Sequence, residues 1–146
     1  MTPAEAWAAV VAGEDAAIYA YQVAGGRVAA SDRRAARAGL DAHRQRRTRA
    51  AALLEQAGGE QPAGDSSYAL PDSVARPRGA RRLMADVDLA LVPVYADAAG
   101  AAQGDDRRWA ARAAADCATS AMAWGASAQA FPAGPTAYAF PAGPTA

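Results

Sequence analysis

Trp7-Ala8-Ala9-Val10-Val11-Ala12-Gly13-Glu14-Asp15-Ala16-Ala17-Ile18-Tyr19-Ala20-Tyr21 is the stretch that decides the fold. Its larger apolar residues, Trp7, Val10, Val11, Ile18 and Tyr21, fall three, four and seven apart, and Gly25 and Val28 continue the series. That spacing predicts a long helix with one buried face. Glu14 lies on this face. A buried carboxylate is costly unless it is paired or coordinates a metal, so Glu14 needs a partner from elsewhere in the chain.

Reading outward, Thr2-Pro3-Ala4-Glu5 is a capping box with proline at the first helical position. It opens helix 1, expected to run to about Ala30 and to weaken at Gly25-Gly26. Ser31 or Asp32 caps a second helix that stops near Gly58-Gly59. The stretch from Glu60 to Asp72, with Pro62, Gly64, Ser66, Ser67 and Pro71, reads as a loop in which Tyr68 and Leu70 serve as pins. A third helix is expected from between Ser73 and Gly79 to about Ala99, with a kink at Pro93. A fourth is capped by Asp105 or Asp106 and runs to about Ala128. The short connections make helices 1 and 2, and helices 3 and 4, antiparallel hairpins. If the longer connection spans the bundle, helices 2 and 3 run parallel.

The composition agrees with an all-α chain. Alanine makes up roughly a third of the sequence, far above globular usage, and it is the strongest helix former. All fifteen basic residues are Arg, which reads as GC-rich coding and not as a functional signal. The formal net charge is zero, so bulk charge calls for neither nucleic acid nor a membrane. One cysteine, Cys117, excludes an internal disulfide. The chain begins without a signal-peptide pattern, and no apolar run approaches the ~20 residues of a membrane span. The expected location is therefore cytoplasmic.

Each of the other helices offers polar residues for a shared interior. Helix 2 places His43 and Arg47 on its inner face, one turn apart. Helix 3 puts Asp88 at the border of the Leu83, Val87, Leu91, Val94 stripe, with Met84 and Tyr95 beside it. Helix 4 puts Asp116 at the centre of a face shared with Trp109, Ala113, Ser120 and Ala123. One polar group per helix around a common interior is the plan of a ferritin-like four-helix bundle. The expected domain is residues 1–130.

The candidate metal ligands are thus Glu14, His43, Asp88 and Asp116. Di-iron bundles use a Glu-x-x-His pair on each of two helices. This chain has no Glu-x-x-His and a single histidine, and an inward Arg47 would repel a cation. The favoured reading is a buried polar network of Glu14, Tyr21, His43, Arg47 and Asp116, with no cofactor. A single or dinuclear iron or manganese centre is the alternative.

Helix 2 also carries an arginine stripe, Arg33, Arg34, Arg37, Arg44, Arg46, Arg47 and Arg49. No aromatic residue interleaves with it, so a solvated face is favoured over a surface for nucleic acid or an acidic partner. Cys117 lies in an alanine-rich helix and reads as an inert core thiol. The tail repeats itself: residues 130–137, Ala-Phe-Pro-Ala-Gly-Pro-Thr-Ala, recur at 139–146. Two prolines per copy exclude helix, and Phe131, Tyr138 and Phe140 are its candidate anchors.

Four stretches carry a resemblance to a known group: Gly13 to Tyr21, Asp41 to Arg47, Tyr68-Ala69-Leu70-Pro71, and Asp116 to Trp124. They resemble the small actinobacterial ferritin-like proteins of unknown function. The resemblance implies a four-helix ferritin-like fold with no established activity. That family usually has Glu-His where this chain has Glu14-Asp15, and Glu where it has Asp88, and both departures weigh against metal. The chain is accordingly read as a non-enzymatic structural or binding module, with a homodimer as its expected assembly. The alternative is a metal-dependent oxidoreductase.

Overall fold

The structure is a computed structural model that describes residues 1–65 and 67–128. The repeated tail, for which an extended form is expected, lies outside the described residues. Four long helices are present: α1 (Pro3–Gly25), α2 (Arg33–Gln56), α3 (Pro77–Ala101) and α4 (Gly104–Ala123). Short 3₁₀ turns at Ala30–Asp32 and Asp72–Ala75 lead into α2 and α3. There is no strand among the described residues.

The capping box at Thr2 forms as the sequence indicates. Thr2 Oγ1 accepts from the Glu5 amide at 3.2 Å, and the Thr2 amide donates to Glu5 Oε2 at 2.7 Å. Other helix ends differ from expectation. α1 stops at Gly25, not at Ala30, and Val28 is buried from outside the helix. α4 stops at Ala123, not at about Ala128. The Ala126 amide turns back onto the Ala121 carbonyl at 2.9 Å, and Gly125 takes a φ of 108° that a side chain would resist. Gln103, rather than an aspartate, occupies the N-cap of α4, and Asp105 and Asp106 sit in its first turn. There they favour the positive end of the helix dipole. α3 runs as one helix through Pro93.

The connection between α2 and α3 travels the length of the bundle. At its start Gly59 lies beside Ala4; an added Cβ there would come within 3.2 Å of the Ala4 methyl. Further on, residues 62–65 lie against Ala12, Gly13, Asp15 and Ala16 of α1. Tyr68 then packs against Tyr19 in a tilted arrangement, with ring centroids 5.5 Å apart. Leu70 packs on the core, and Arg81 near the start of α3 reaches Asp32 at the start of α2 at 2.7 Å. α2 and α3 therefore both begin at the same end and run parallel.

α1 packs on α2 and on α3, and α3 packs on α4. α1 is thereby enclosed by two helices and the crossover strap, which is why its buried positions extend well beyond a single stripe. α3 also has two helical neighbours and buries two adjacent rows. Alanines fill much of these contacts, and Gly13 lets α3 approach closely: a Cβ at Gly13 would lie 2.7 Å from Leu91 Cδ2. α2 and α4 make no comparable close contact across the fourth side.

Candidate functional site

The bundle centre holds two carboxylates and an imidazole that are almost wholly buried: Glu14, Asp88 and His43. α1, α2 and α3 each contribute one. His43 joins the other two, with Nδ1 2.7 Å from Glu14 Oε2 and Nε2 3.0 Å from Asp88 Oδ1. Both ring nitrogens are thus committed, on opposite edges of the ring, to carboxylates. An imidazole facing two acceptors is best satisfied as the imidazolium, in which both nitrogens donate. Burial alone would lower the His43 pKa. The hydrogen bonds to Asp88 and Glu14, with the charges of both carboxylates, outweigh burial and raise it.

Further donors close the network. Tyr95 Oη donates to Glu14 Oε1 at 2.5 Å, and Arg46 Nε donates to the same oxygen at 3.3 Å. Tyr21 Oη donates to Asp88 Oδ2 at 2.8 Å and itself accepts from Trp124 Nε1 at 2.8 Å. Ser120 Oγ lies 3.5 Å from the same phenol. Both tyrosines have raised pKa values, first through burial and then through the adjacent carboxylate. No buried side-chain nitrogen or oxygen among the described residues lacks a partner. Two carboxylates face an imidazolium and a guanidinium, so the knot is neutral as a whole. Such closure is what makes buried charge tolerable.

Several sequence expectations need correction. Asp88 is fully buried at the centre, not at the border, because α3 is covered on both sides by α1 and α4. Asp116 is exposed and takes no part in the network. α4 is turned by one position, so that Ala110, Ala113, Cys117 and Ala121 face inward. On α2, Arg46 and not Arg47 reaches Glu14. Its side chain is 14 % exposed, whereas Arg47 is 35 % exposed and pairs with Asp15, Nε to Oδ1, at 2.9 Å.

The network also includes residues the sequence reading left out: Tyr95, Trp124, Ser120 and Arg46. A buried phenol or indole requires a hydrogen-bond partner, so Tyr95 and Trp124 carried a signal. Ser120 carried none. Cys117 is buried as expected, and burial pushes its thiol pKa up with Arg46 pulling against it. It is not an activated nucleophile.

The residues present do not fit a metal centre of the kind considered above. Of the four candidate ligands, Asp116 is outside, and Glu14 and Asp88 lie at opposite ends of one imidazole. A guanidinium stands against Glu14 where a cation would have to sit. Among the described residues no group of three or more His, Cys, Asp or Glu side chains is placed to hold a metal ion.

These features define a class: an all-helical bundle with one long crossover and a closed polar knot at its centre. The chain belongs to the family described as "Domain of unknown function (DUF4439)", which matches residues 6–136. That match extends into the first copy of the tail repeat. The fold is similar to the crystal structure of a conserved hypothetical protein, rv2844, from Mycobacterium tuberculosis. The TM-score is 0.79 and the identity 25 %, covering 84 % of this chain and 93 % of that one. A search of curated proteins finds no significant match. Among the described residues no helix is long and apolar enough to cross a membrane.

Proposed function

We propose that the chain is a ferritin-like bundle acting as a non-enzymatic structural or binding module, its metal position degenerate. The observation that carries this reading is His43, which bridges Glu14 and Asp88 through both ring nitrogens. The imidazolium and Arg46 supply within the protein the positive charge that a metal would bring between the carboxylates. The parallel α2 and α3, joined by one long crossover, support the ferritin-like assignment. The polar knot then serves to fix helix register, because its hydrogen bonds close in only one alignment of α1, α2 and α3. Elemental analysis of purified protein for iron, manganese and zinc tests the proposal. Less than one metal per chain is expected, before and after incubation with each ion. About two metals per chain, lost on Glu14→Ala, would instead favour a metal-dependent oxidoreductase.

A further inference from the structure

The open side of the bundle, between α2 and α4, contains a groove of about 390 Å³. That is within the usual size of a small-molecule site, about 300–1,000 Å³. Its polar lining is Gln45, Arg46 and Arg49 from α2, with Arg112 and Asp116 from α4, and Trp109 supplies the aromatic wall. Three guanidiniums and one carboxylate thus line it; Arg46 is already set against Glu14 and Arg49 toward Asp106, which leaves Arg112 as the guanidinium without an ion-pair partner among the described residues.

The arginines differ in how far they are engaged. Arg46 forms the floor. Its Nε is committed to Glu14, and no buried side-chain nitrogen among the described residues lacks a partner. The terminal nitrogens of Arg46 make no hydrogen bond within the described residues, so they are open to the groove. Arg49 lies over Trp109 at 4.6 Å from the ring centroid and leans toward Asp106 at 3.7 Å. Trp109 is held in turn by Trp7 and Tyr95, each with its centroid 5.8 Å away. Arg112 is exposed and has no ion-pair partner among the described residues. The groove therefore offers an indole with Arg49 over it, a half-buried guanidinium held at Nε by Glu14, and an exposed one. Guanidinium edges match a carboxylate bidentately, and a guanidinium lying over an indole suits a flat body.

We infer that the α2–α4 groove binds a small planar organic carboxylate, its anionic group held between Arg46 and Arg112 and its flat body against the Arg49–Trp109 pair that lines the groove. This goes beyond the reading of the polar core, since metal content and groove occupancy are measured separately and either can fail alone.

The test is NMR titration of the full chain, following the Trp109 indole N–H, assigned with Trp109→Phe. The probes are benzoate, the neutral benzamide, and inorganic phosphate. Benzoate is expected to shift the Trp109 signal saturably, with a dissociation constant of about 1 mM or tighter. Arg112→Gln, at an exposed site that the fold does not use, should weaken binding roughly tenfold, the loss of about one charge-assisted hydrogen bond. Asp116→Asn, also exposed, should tighten it by removing the opposing charge. A non-saturating response to benzoate would overturn the inference. So would benzamide binding as tightly as benzoate, or benzoate affinity unchanged in both variants. Phosphate binding more tightly than benzoate would show that charge alone selects the ligand and would overturn the planar-carboxylate assignment.

Discussion

Arg46 Nε lies 3.3 Å from Glu14 Oε1, which makes Arg46, and not its neighbour Arg47, the guanidinium coupled to the buried carboxylate. Removing one partner of a buried ion pair leaves an uncompensated charge, at about 3–5 kcal/mol. Glu14→Ala also leaves His43 Nδ1 and Tyr95 Oη without their acceptor. It should therefore destabilise the fold by roughly 3 kcal/mol or more in denaturant unfolding. A double-mutant cycle of Glu14→Ala with Arg46→Leu should show a clear coupling energy, and the same cycle with Arg47→Leu should be close to additive. Equal coupling to both arginines would contradict the geometry.

His43 is the one histidine in the chain, so its titration can be followed without ambiguity. Its pKa is raised in the folded state by Asp88 and Glu14 against the opposing effect of burial. The stability it contributes is fully present below its unfolded pKa of about 6.5, and is lost as the pH rises through the folded value. Melting temperature should therefore fall on the alkaline side more steeply in the native sequence than in His43→Gln. The histidine ring signal should titrate with a midpoint above the free value. A midpoint at or below it would mean that burial outweighs the two carboxylates.

Tyr21 and Tyr95 each bond one buried carboxylate, but their removal should not be equivalent. Tyr95→Phe loses one hydrogen bond to Glu14. Tyr21→Phe loses the bond to Asp88 and also leaves Trp124 Nε1 without its acceptor. A hydrogen bond to a charged group is worth about 1.5–3 kcal/mol, and an orphaned buried donor adds about 1–3 kcal/mol. Tyr21→Phe is expected to be the more destabilising in chemical denaturation. Adding Trp124→Phe to Tyr21→Phe should then cost less than Trp124→Phe does alone.

Two helical glycines should respond in opposite directions to alanine. A Cβ at Gly39 would collide with the Tyr21 ring, whose position the polar knot fixes. Overpacking of this kind costs about 1–3 kcal/mol, more than the ~1 kcal/mol that alanine gains over glycine in a helix. Gly100, also within a helix, has open space around its Cβ position. Gly39→Ala should lower the melting temperature and Gly100→Ala should raise it. Stabilisation by Gly39→Ala would show that Tyr21 can move without loss.

The sequence by itself determined the helices and their count, because apolar spacing, capping residues and glycine stops are local signals. Thr2 to Glu5 opens α1 and Gly58-Gly59 closes α2 for reasons contained within a few residues. It also marked Glu14 and His43 as interior groups, since each lies within an otherwise apolar periodic face. The rotational setting of α4 was not legible. Alanines at 110, 111, 113, 114, 115 and 118 fit a core or a surface equally well, so nothing local distinguishes the Asp116 phase from the Cys117 phase. Tertiary packing decided it, by placing Cys117 inside and sending Asp116 out to the groove wall. Packing also decided between Arg46 and Arg47, which are adjacent and chemically identical. Asp88 moved from border to centre only because α3 is flanked by both α1 and α4. Periodicity reports which side of one helix is apolar; how many neighbours cover that helix, and which atom faces which across them, is settled only when the helices meet.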